Sequence, residues 1–288
     1  MKTLYISDLD GTLLDRKAQL SERSASIIRE LIADGLMFSV ATARSQSAVG
    51  YLQKLNIDIP SVHLNGVLMY DNSKRQYIDC IPMDTGTAMQ IIRILKSFDR
   101  MSFVYKFDSD CGINVEFERL TNEVERNFFE VRKNNDYKSF RQTADITVSD
   151  DEKAIYFTMV DRYERLYPIY REIQKLEGAK PTLYRDNYSE MFFLEVFSAG
   201  ATKAAGVMKL KKLLGADRVV AFGDNLNDLE MLRAADIGAA VGDAVEEVRS
   251  QADVVIGNSF EDGVALYLLR RAAGPDHVGA RLGVLGTN

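Results

Sequence analysis

The chain has 288 residues, of which 46% are hydrophobic and 27% are charged, so it can build a sizeable core and is not disordered as a whole. Its formal net charge of −6 argues against a general nucleic-acid binder, because phosphate backbones attract basic surfaces. Two cysteines and two histidines are too few for a disulfide framework or a zinc site built from them.

No apolar run approaches the roughly 20 residues that span a bilayer. The first strand-like run reaches Asp8 too early for a secretory signal. We therefore expect a cytoplasmic protein that binds neither nucleic acid nor membrane. The sequence leaves a monomer and a small homo-oligomer equally open.

Short apolar runs alternate with helical patterns in the first part of the chain. The runs at 4–6, 37–41 and 61–64 predict buried strands, and the patterns at 21–34 and 45–55 predict helices. This alternation favours a parallel sheet covered by helices.

The pattern changes after Pro82. There the sequence predicts helices over 85–98, 123–131 and 162–176 and strands over 101–107, 113–117, 154–160, 181–185 and 191–197. Neighbouring strands joined by turns, with helices on them, indicate a separate α+β unit.

The strand–helix alternation then returns. The predicted helices cover 201–214, 228–234, a stretch from about 245, and 262–273, and the strands cover 218–222, 237–241 and 254–256. The sequence thus predicts an α/β fold. Its doubly wound, Rossmann-like core of parallel strands consists of residues 1–84 and 197–288, and residues 85–196 form an inserted α+β cap domain.

Polar side chains follow several core strands, and in an open α/β sheet ligands bind beyond the carboxyl ends of the strands. The residues placed at this edge, with a lysine from the returning helix, are Asp8, Asp10, Thr42, Lys203, Asp224, Asn225, Asn227 and Asp228. Carboxylates roughly 4 Å apart repel by about 4 kcal/mol at an effective dielectric constant of about 20. They therefore need raised pKa values or a bound cation, and oxygen-only ligands suit Mg²⁺.

These segments also resemble a known family. Residues 8–14 (DLDGTLL), Thr42, Lys203 and residues 223–228 (GDNLND) resemble, in order, the four motifs of the haloacid dehalogenase-like phosphatase superfamily. The long insertion resembles the Cof-type subgroup, whose large α/β cap lies between the second and third motifs. The likeness covers nearly the whole chain.

The resemblance implies roles for the acidic residues. Asp8 is expected to be the nucleophile that forms an aspartyl-phosphate and also a Mg²⁺ ligand. Asp10 is expected to protonate the leaving alkoxide and then to activate water, with its backbone carbonyl on Mg²⁺. Asp224 is expected to bind the metal directly, and Asp228 to support the metal site by holding its ligands or through a bridging water.

The resemblance also implies residues that bind the substrate. Thr42 and Lys203 are expected to hold the phosphoryl oxygens, and Lys203 also to orient Asp8. Asn227 is expected to contact the phosphoryl group or to order its loop. The pair Asn65 and Gly66 falls where the family often has Asn-Gly beside the phosphate, although it can also be a simple turn.

Three further residues are judged from the sequence. Arg44 can reach the substrate or form a surface salt bridge. His63 is expected to pack in the core. Asp243 stands where Cof-type proteins often have asparagine, and it either alters the charge of the site or caps the next helix.

The predicted function is that of a Mg²⁺-dependent phosphatase. It would hydrolyse a small phosphorylated metabolite (a sugar phosphate, a nucleotide or a phosphorylated cofactor) through an aspartyl-phosphate on Asp8. The alternatives are a phosphotransferase or phosphomutase on sugar phosphates and a non-catalytic protein that binds a phosphate ligand.

Overall fold

The structure is a computed structural model that describes residues 1–15, 17–46, 49–101, 103–108, 112–134, 138–185 and 190–273. Its strands are β1 (Thr3–Ser7), β2 (Met37–Val40), β3 (Ser61–His63), β4 (Leu68–Asp71), β5 (Gln76–Cys80), β6 (Phe103–Asp108), β7 (Gly112–Phe117), β8 (Lys138–Gln142), β9 (Lys153–Asp161), β10 (Ala179–Arg185), β11 (Phe192–Ser198), β12 (Arg218–Gly223), β13 (Ile237–Ala240) and β14 (Val254–Val255). Its α-helices are α1 (Glu22–Ala33), α2 (Thr85–Ser97), α3 (Glu123–Arg132), α4 (Tyr163–Ile173), α5 (Lys203–Leu214), α6 (Leu229–Ala234), α7 (Glu246–Arg249) and α8 (Gly263–Ala273).

The first unit joins the two ends of the chain, Met1–Arg75 and Thr202–Asn288. It contains a parallel sheet in the order β14-β13-β12-β1-β2. Leu4 and Ile6 of β1 are fully buried, as expected for a central strand with both faces covered. The predicted α/β fold is confirmed.

Two helices of this unit begin and end where their sequence signals lie. Ser21 caps α1 by accepting from the backbone N–H of Ser24, and Gly35 follows the helix with a φ of +93°. Thr202 caps α5 by accepting from the backbone N–H of Ala205, and Gly215 ends that helix in the left-handed conformation.

The second unit, Gln76–Ala201, contains a six-stranded sheet in the order β10-β11-β9-β6-β7-β8. The pairs are antiparallel except β7–β8, which is parallel. Side chains of β6, β9 and β11 form one core with those of α2 and α4. Phe128 of α3 packs against Phe103 at 4.9 Å between ring centres.

Several elements differ from the sequence prediction. The helix predicted over 45–55 appears within the described residues as a 3₁₀ helix, Gly50–Leu55. The third predicted strand, β3, pairs antiparallel with β4 and touches the parallel sheet through one bridge, Ala41 to Val62. Strands β4, β5 and β8 were not predicted. The two units meet in the chain at residues 75/76 and 201/202, whereas the predicted insertion is 85–196.

Among the described residues, no helix has both the length and the apolar character that crossing a membrane requires.

Candidate active site

The carboxyl ends of the neighbouring strands β1 and β12 place two acidic segments side by side, the one that begins at Asp8 and the one that begins at Asp224. In the parallel pairing of β1 with β12, Ser7 lies opposite Phe222. The next residue, Asp8, donates its backbone N–H to the Phe222 carbonyl at 2.9 Å. The residues that leave these strands, Asp8 and Asp224, therefore emerge at the same edge of the sheet.

Three carboxylates meet at this edge. Asp8, Asp224 and Asp228 each present an oxygen, and these oxygens lie within 4.8 Å of one another. Asp8 is 5% exposed and Asp228 is fully buried, so water screens their repulsion poorly. The Asp10 side chain is not part of this group.

Lys203 joins two of these carboxylates. It is the first residue of α5 and only 1% exposed, and its Nζ donates to Asp8 Oδ1 and, at 2.6 Å, to Asp228 Oδ1. A buried lysine is found only where it is paired. The structure thus brings the first, third and fourth motifs together.

Asp228 also supports the loop that carries Asp224. Its Oδ2 accepts the backbone N–H groups of Asp224 at 3.0 Å and Asn225 at 3.1 Å. Gly223 permits this approach, since a Cβ there would lie 2.6 Å from the Cβ of Asp228. One carboxylate therefore fixes both the lysine and the loop.

Thr12 and Gly11 contact the site in a way the sequence analysis did not predict. Thr12 Oγ1 donates to Asp224 Oδ1 at 2.8 Å. Gly11 has a φ of +82°, and a Cβ there would lie 2.5 Å from Asp224 Oδ2. The Gly-Thr pair after Asp10 in the first motif was the available signal.

Thr42, Asn65 and Asn227 form a polar rim beside the carboxylates. Thr42 is fully buried, and its carbonyl accepts from the backbone N–H of Asn65 at 3.0 Å. Asn65 Oδ1 accepts from Asn227 Nδ2 at 3.5 Å. Residues from the second and fourth motifs are thus joined through Asn65.

Gly66 supports the site by packing. It has a φ of +100°, and a Cβ there would lie 2.0 Å from the carbonyl oxygen of Thr202, the cap of α5. Only glycine allows this approach of the chain to the start of the helix that carries Lys203.

Arg44 forms the salt bridge that the sequence left as one of two alternatives. Its Nε donates to Asp10 Oδ2 at 2.7 Å, and its Nη2 donates to Asp10 Oδ1. Both side chains are partly exposed. Asp10 is therefore engaged by Arg44, while Asp8 is engaged by Lys203.

The electrostatics follow from this crowding. Burial raises the pKa of Asp8 to about 7, and the charges of Asp228 and Asp224 act in the same direction against that of Lys203. Burial also raises the pKa of Asp224, although the hydrogen bond from Thr12 opposes it. Burial works to lower the pKa of Lys203, but the two carboxylates it binds outweigh this and raise it. Counted together, the three carboxylates and Lys203 leave two negative charges.

Two further residues have structural roles. Asp243 accepts from the backbone N–H of Ser259 at 2.7 Å and from its hydroxyl at 2.8 Å, so it binds a loop sixteen residues further on. The next helix, α7, has Val245 as its N-cap, so the expected capping of that helix by Asp243 is wrong. His63 is fully buried, as expected for a core residue.

The family model of haloacid dehalogenase-like hydrolases matches residues 5–268. The chain belongs to this family. The resemblance drawn from the four motifs is therefore confirmed, and the protein is an enzyme of the phosphomonoester hydrolase class.

Members of the family with similar sequences are phosphatases. The 5-amino-6-(5-phospho-D-ribitylamino)uracil phosphatase YitU of Bacillus subtilis is 27% identical over 275 residues, which are 92% of this chain and 96% of that protein. Pyridoxal phosphate phosphatase YbhA of Escherichia coli is 26% identical over 266 residues, which are 91% and 95% of the two chains.

A solved structure shows the same fold. A haloacid dehalogenase-like hydrolase from Bacteroides thetaiotaomicron superposes with a TM-score of 0.67 at 23% identity, and the match covers 94% of this chain and all of that one.

The acidic cluster fits a divalent cation. Its ligand atoms are all carboxylate oxygens, which hard cations such as Mg²⁺ prefer. Its two excess negative charges would be offset by such an ion, which would stabilise the ionised forms of Asp8 and Asp224 against the burial and the mutual repulsion that raise their pKa values.

Proposed function

We propose that the protein hydrolyses a small phosphomonoester in the presence of Mg²⁺, through an aspartyl-phosphate on Asp8. The observation that carries this proposal is the buried contact of Asp8 with Lys203, beside the carboxylates of Asp224 and Asp228. A carboxylate oriented by a lysine, next to a site for a cation, suits attack on a phosphorus atom whose oxygens carry negative charge.

The cation would be held by Asp8, Asp224 and Asp228, with the backbone carbonyl of Asp10 as a further oxygen ligand. When bound, Mg²⁺ would neutralise charge on the phosphoryl oxygens. Burial raises the pKa of Asp224 and the charge of Asp228 adds to this, so a bound cation would stabilise its ionised form.

In the first step an oxygen of Asp8 attacks phosphorus. The new bond is the acyl phosphate, and the bond that breaks joins phosphorus to the leaving alkoxide oxygen. Lys203 orients Asp8, and Lys203, Thr42 and Asn227 hold the phosphoryl oxygens. Asp10 gives its proton to the alkoxide, so the product leaves as an alcohol.

In the second step water attacks the same phosphorus atom. Asp10 takes a proton from this water, the bond between phosphorus and the Asp8 oxygen breaks, and inorganic phosphate leaves. Asp8 returns as a carboxylate and Asp10 as an acid. Asn65 and Gly66 keep the rim in place, by the contact of Asn65 with Asn227 and the packing of Gly66 against Thr202.

The substrate is proposed to be a small phosphorylated metabolite. The names of the two relatives, a phosphoribitylamino-uracil phosphatase and a pyridoxal phosphate phosphatase, support this size and chemistry. We also propose that residues 85–196, the predicted cap, select the leaving group.

The test is phosphate release from p-nitrophenyl phosphate with Mg²⁺ or with a chelator. We expect release only with Mg²⁺, and a loss of about a thousandfold or more in Asp8→Asn, because the nucleophile is gone. Asp58→Asn is the matched control, since Asp58 is an exposed aspartate of the same unit. Equal rates for Asp8→Asn and the wild type would reject the proposal.

A further inference from the structure

The carboxylate of Asp10 accepts a bidentate pair of hydrogen bonds from Arg44. Arg44 donates through Nε to Asp10 Oδ2 at 2.7 Å and through Nη2 to Oδ1. Two parallel donors fix the plane of a carboxylate as well as its position. The Asp10 side chain is 48% exposed and that of Arg44 28%, so the pair adds little to folding. Its main consequence is geometric.

The backbone of Arg44 is fixed on both sides. Its N–H donates to Thr42 Oγ1 at 3.0 Å. Its carbonyl accepts from the backbone N–H of Leu64 and from Nδ1 of His63, each at 3.2 Å. The guanidinium is therefore carried by a segment whose own position is well defined.

His63 provides one of these contacts from the interior. Because the Arg44 carbonyl can only accept, Nδ1 must carry the proton, and Nε2 can then accept from the Ser61 hydroxyl at 2.8 Å. Burial lowers the pKa of His63 to about 4, although the bond to the carbonyl opposes this, so the ring is neutral at pH 7. A buried hydrogen-bonded pair thus lies behind Arg44.

We propose that Arg44 is a positioning residue for the acid–base action of Asp10, and that His63 with Ser61 fixes Arg44 from behind. This inference rests on the proposed function, because it requires Asp10 to transfer the proton. In both steps the Arg44 fork keeps the Asp10 carboxyl aimed at the reacting oxygen. Binding of the phosphoryl group itself does not depend on Arg44.

The test is the dependence of kcat/KM on the leaving group in Arg44→Met. Dinitrophenolate leaves without a proton, whereas phenolate is far more basic and needs one. We expect a loss of about 10- to 100-fold with phenyl phosphate and of less than about threefold with 2,4-dinitrophenyl phosphate. Asp10→Asn should show the same selectivity with a larger loss, and Arg44→Lys a smaller one.

Matched variants separate positioning from general damage. Arg23→Met removes another arginine of this unit, which is 54% exposed and 3.8 Å from Asp262, and should leave both substrates unaffected. His63→Leu should reproduce the selectivity of Arg44→Met weakly. His63→Asn should restore wild-type behaviour, since its amide can still donate to the Arg44 carbonyl. Nitrogen NMR of the ring should show the proton on Nδ1.

The opposing outcomes are distinct. Equal losses with both phosphate esters would mean that Arg44 binds the phosphoryl group. No loss with either ester would mean that the salt bridge between Arg44 and Asp10 does not contribute to catalysis. Either result overturns the proposal. A proton on Nε2 of His63 instead of Nδ1 would contradict the role of His63, because Nδ1 could then not donate to the Arg44 carbonyl. Failure of the proposed function appears separately, as equal rates for the wild type and Asp8→Asn, and it removes the positioning role as well.

Discussion

Among the residues that the structure describes, two buried lysines each bind two carboxylates, one in each unit. Lys203 binds Asp8 and Asp228 in the first unit. Lys106 binds Glu116 at 2.9 Å and Glu152 at 2.6 Å in the second. Lys203 is 1% exposed and Lys106 is 7% exposed, so burial alone does not distinguish them.

The difference lies in the charge that surrounds each lysine. Arg141 also binds Glu116, so two cations face two carboxylates around Lys106. Lys106 further donates to the carbonyl of Thr147 at 2.8 Å. The cluster around Lys203 also contains a third carboxylate, that of Asp224. The four side chains Asp8, Asp224, Asp228 and Lys203 therefore combine three carboxylates with one cation.

The pKa directions follow this balance. Burial acts to raise the pKa of Glu152, but hydrogen bonds from Lys106 and Ser149 outweigh it and lower that pKa. The pKa of Asp8 is raised by burial, and neither Lys203 nor the bond it donates cancels this. A balanced cluster is stabilised by its own contacts, whereas an unbalanced one is suited to bind a cation. The lesson is that charge balance, more than burial, separates the candidate active site from a structural network.

The largest expected contrast comes from replacing each lysine. In Lys203→Met we expect phosphate release to fall by about a thousandfold, because the donor that orients Asp8 is lost. In Lys106→Met we expect lower stability, since buried carboxylates lose their partner, but unchanged activity per folded molecule. The measurement is the initial rate, normalised to the folded fraction by circular dichroism. A comparable loss of normalised activity in Lys106→Met would contradict the distinction between a catalytic cluster around Lys203 and a structural one around Lys106.

Removing one carboxylate from each cluster should change stability in opposite directions. Without metal, we expect Asp224→Asn to raise the local unfolding free energy by about 1 kcal/mol, because repulsion is relieved. Glu116→Gln should lower it by about 2 kcal/mol, because it leaves Lys106 and Arg141 short of a partner. Hydrogen exchange read by mass spectrometry measures each unit separately.

Mg²⁺ supplies the control for this pair. At about 100 times its dissociation constant it should stabilise the first unit by about 2.7 kcal/mol in the wild type and in Glu116→Gln. Asp224→Asn should lose most of this gain. If both variants were destabilised alike without metal, charge balance would not be what separates the clusters.

The sequence could predict the edge where the acidic residues gather, because strand ends and loops are local signals. Asp8 directly follows an apolar run that pairs in parallel, and Asp224 follows another, so the topology brings them together. The 3₁₀ helix Gly50–Leu55 was harder to predict, since the spacing of its apolar residues fits an α-helix as well. Strand β8 (Lys138–Gln142) is largely polar and lies at the edge of its sheet, so it lacks the apolar alternation that identifies strands.

Apart from the contact of Lys203 with Asp8, which the family resemblance implied, the partners of individual side chains could not be predicted. The Arg44 salt bridge depends on how residues 42–44 leave β2, which no spacing in the sequence states. The bond of Thr12 to Asp224 joins residues 212 positions apart. The contact of Gly66 with Thr202 likewise becomes visible only when α5 is placed against the turn after β3.

The smallest expected effect is the pH dependence of folding stability that arises from His63. This residue lies in a buried hydrogen-bonded network that carries no charge at pH 7. Its folded pKa of about 4 lies below its ordinary value of 6.5, so between these values the unfolded chain binds the proton and the folded one does not. Stability should therefore fall as the pH is lowered from 6.5 towards 4. His63→Asn cannot titrate and keeps a donor for the Arg44 carbonyl, so it should lose less stability than the wild type over this range, by about 1–2 kcal/mol. Urea unfolding at several pH values gives the two curves. Parallel curves would show that His63 is protonated in the folded protein as readily as in the unfolded chain. The hydrogen-bonded network of His63 would then not be a neutral counterpart to the charged clusters around Lys203 and Lys106.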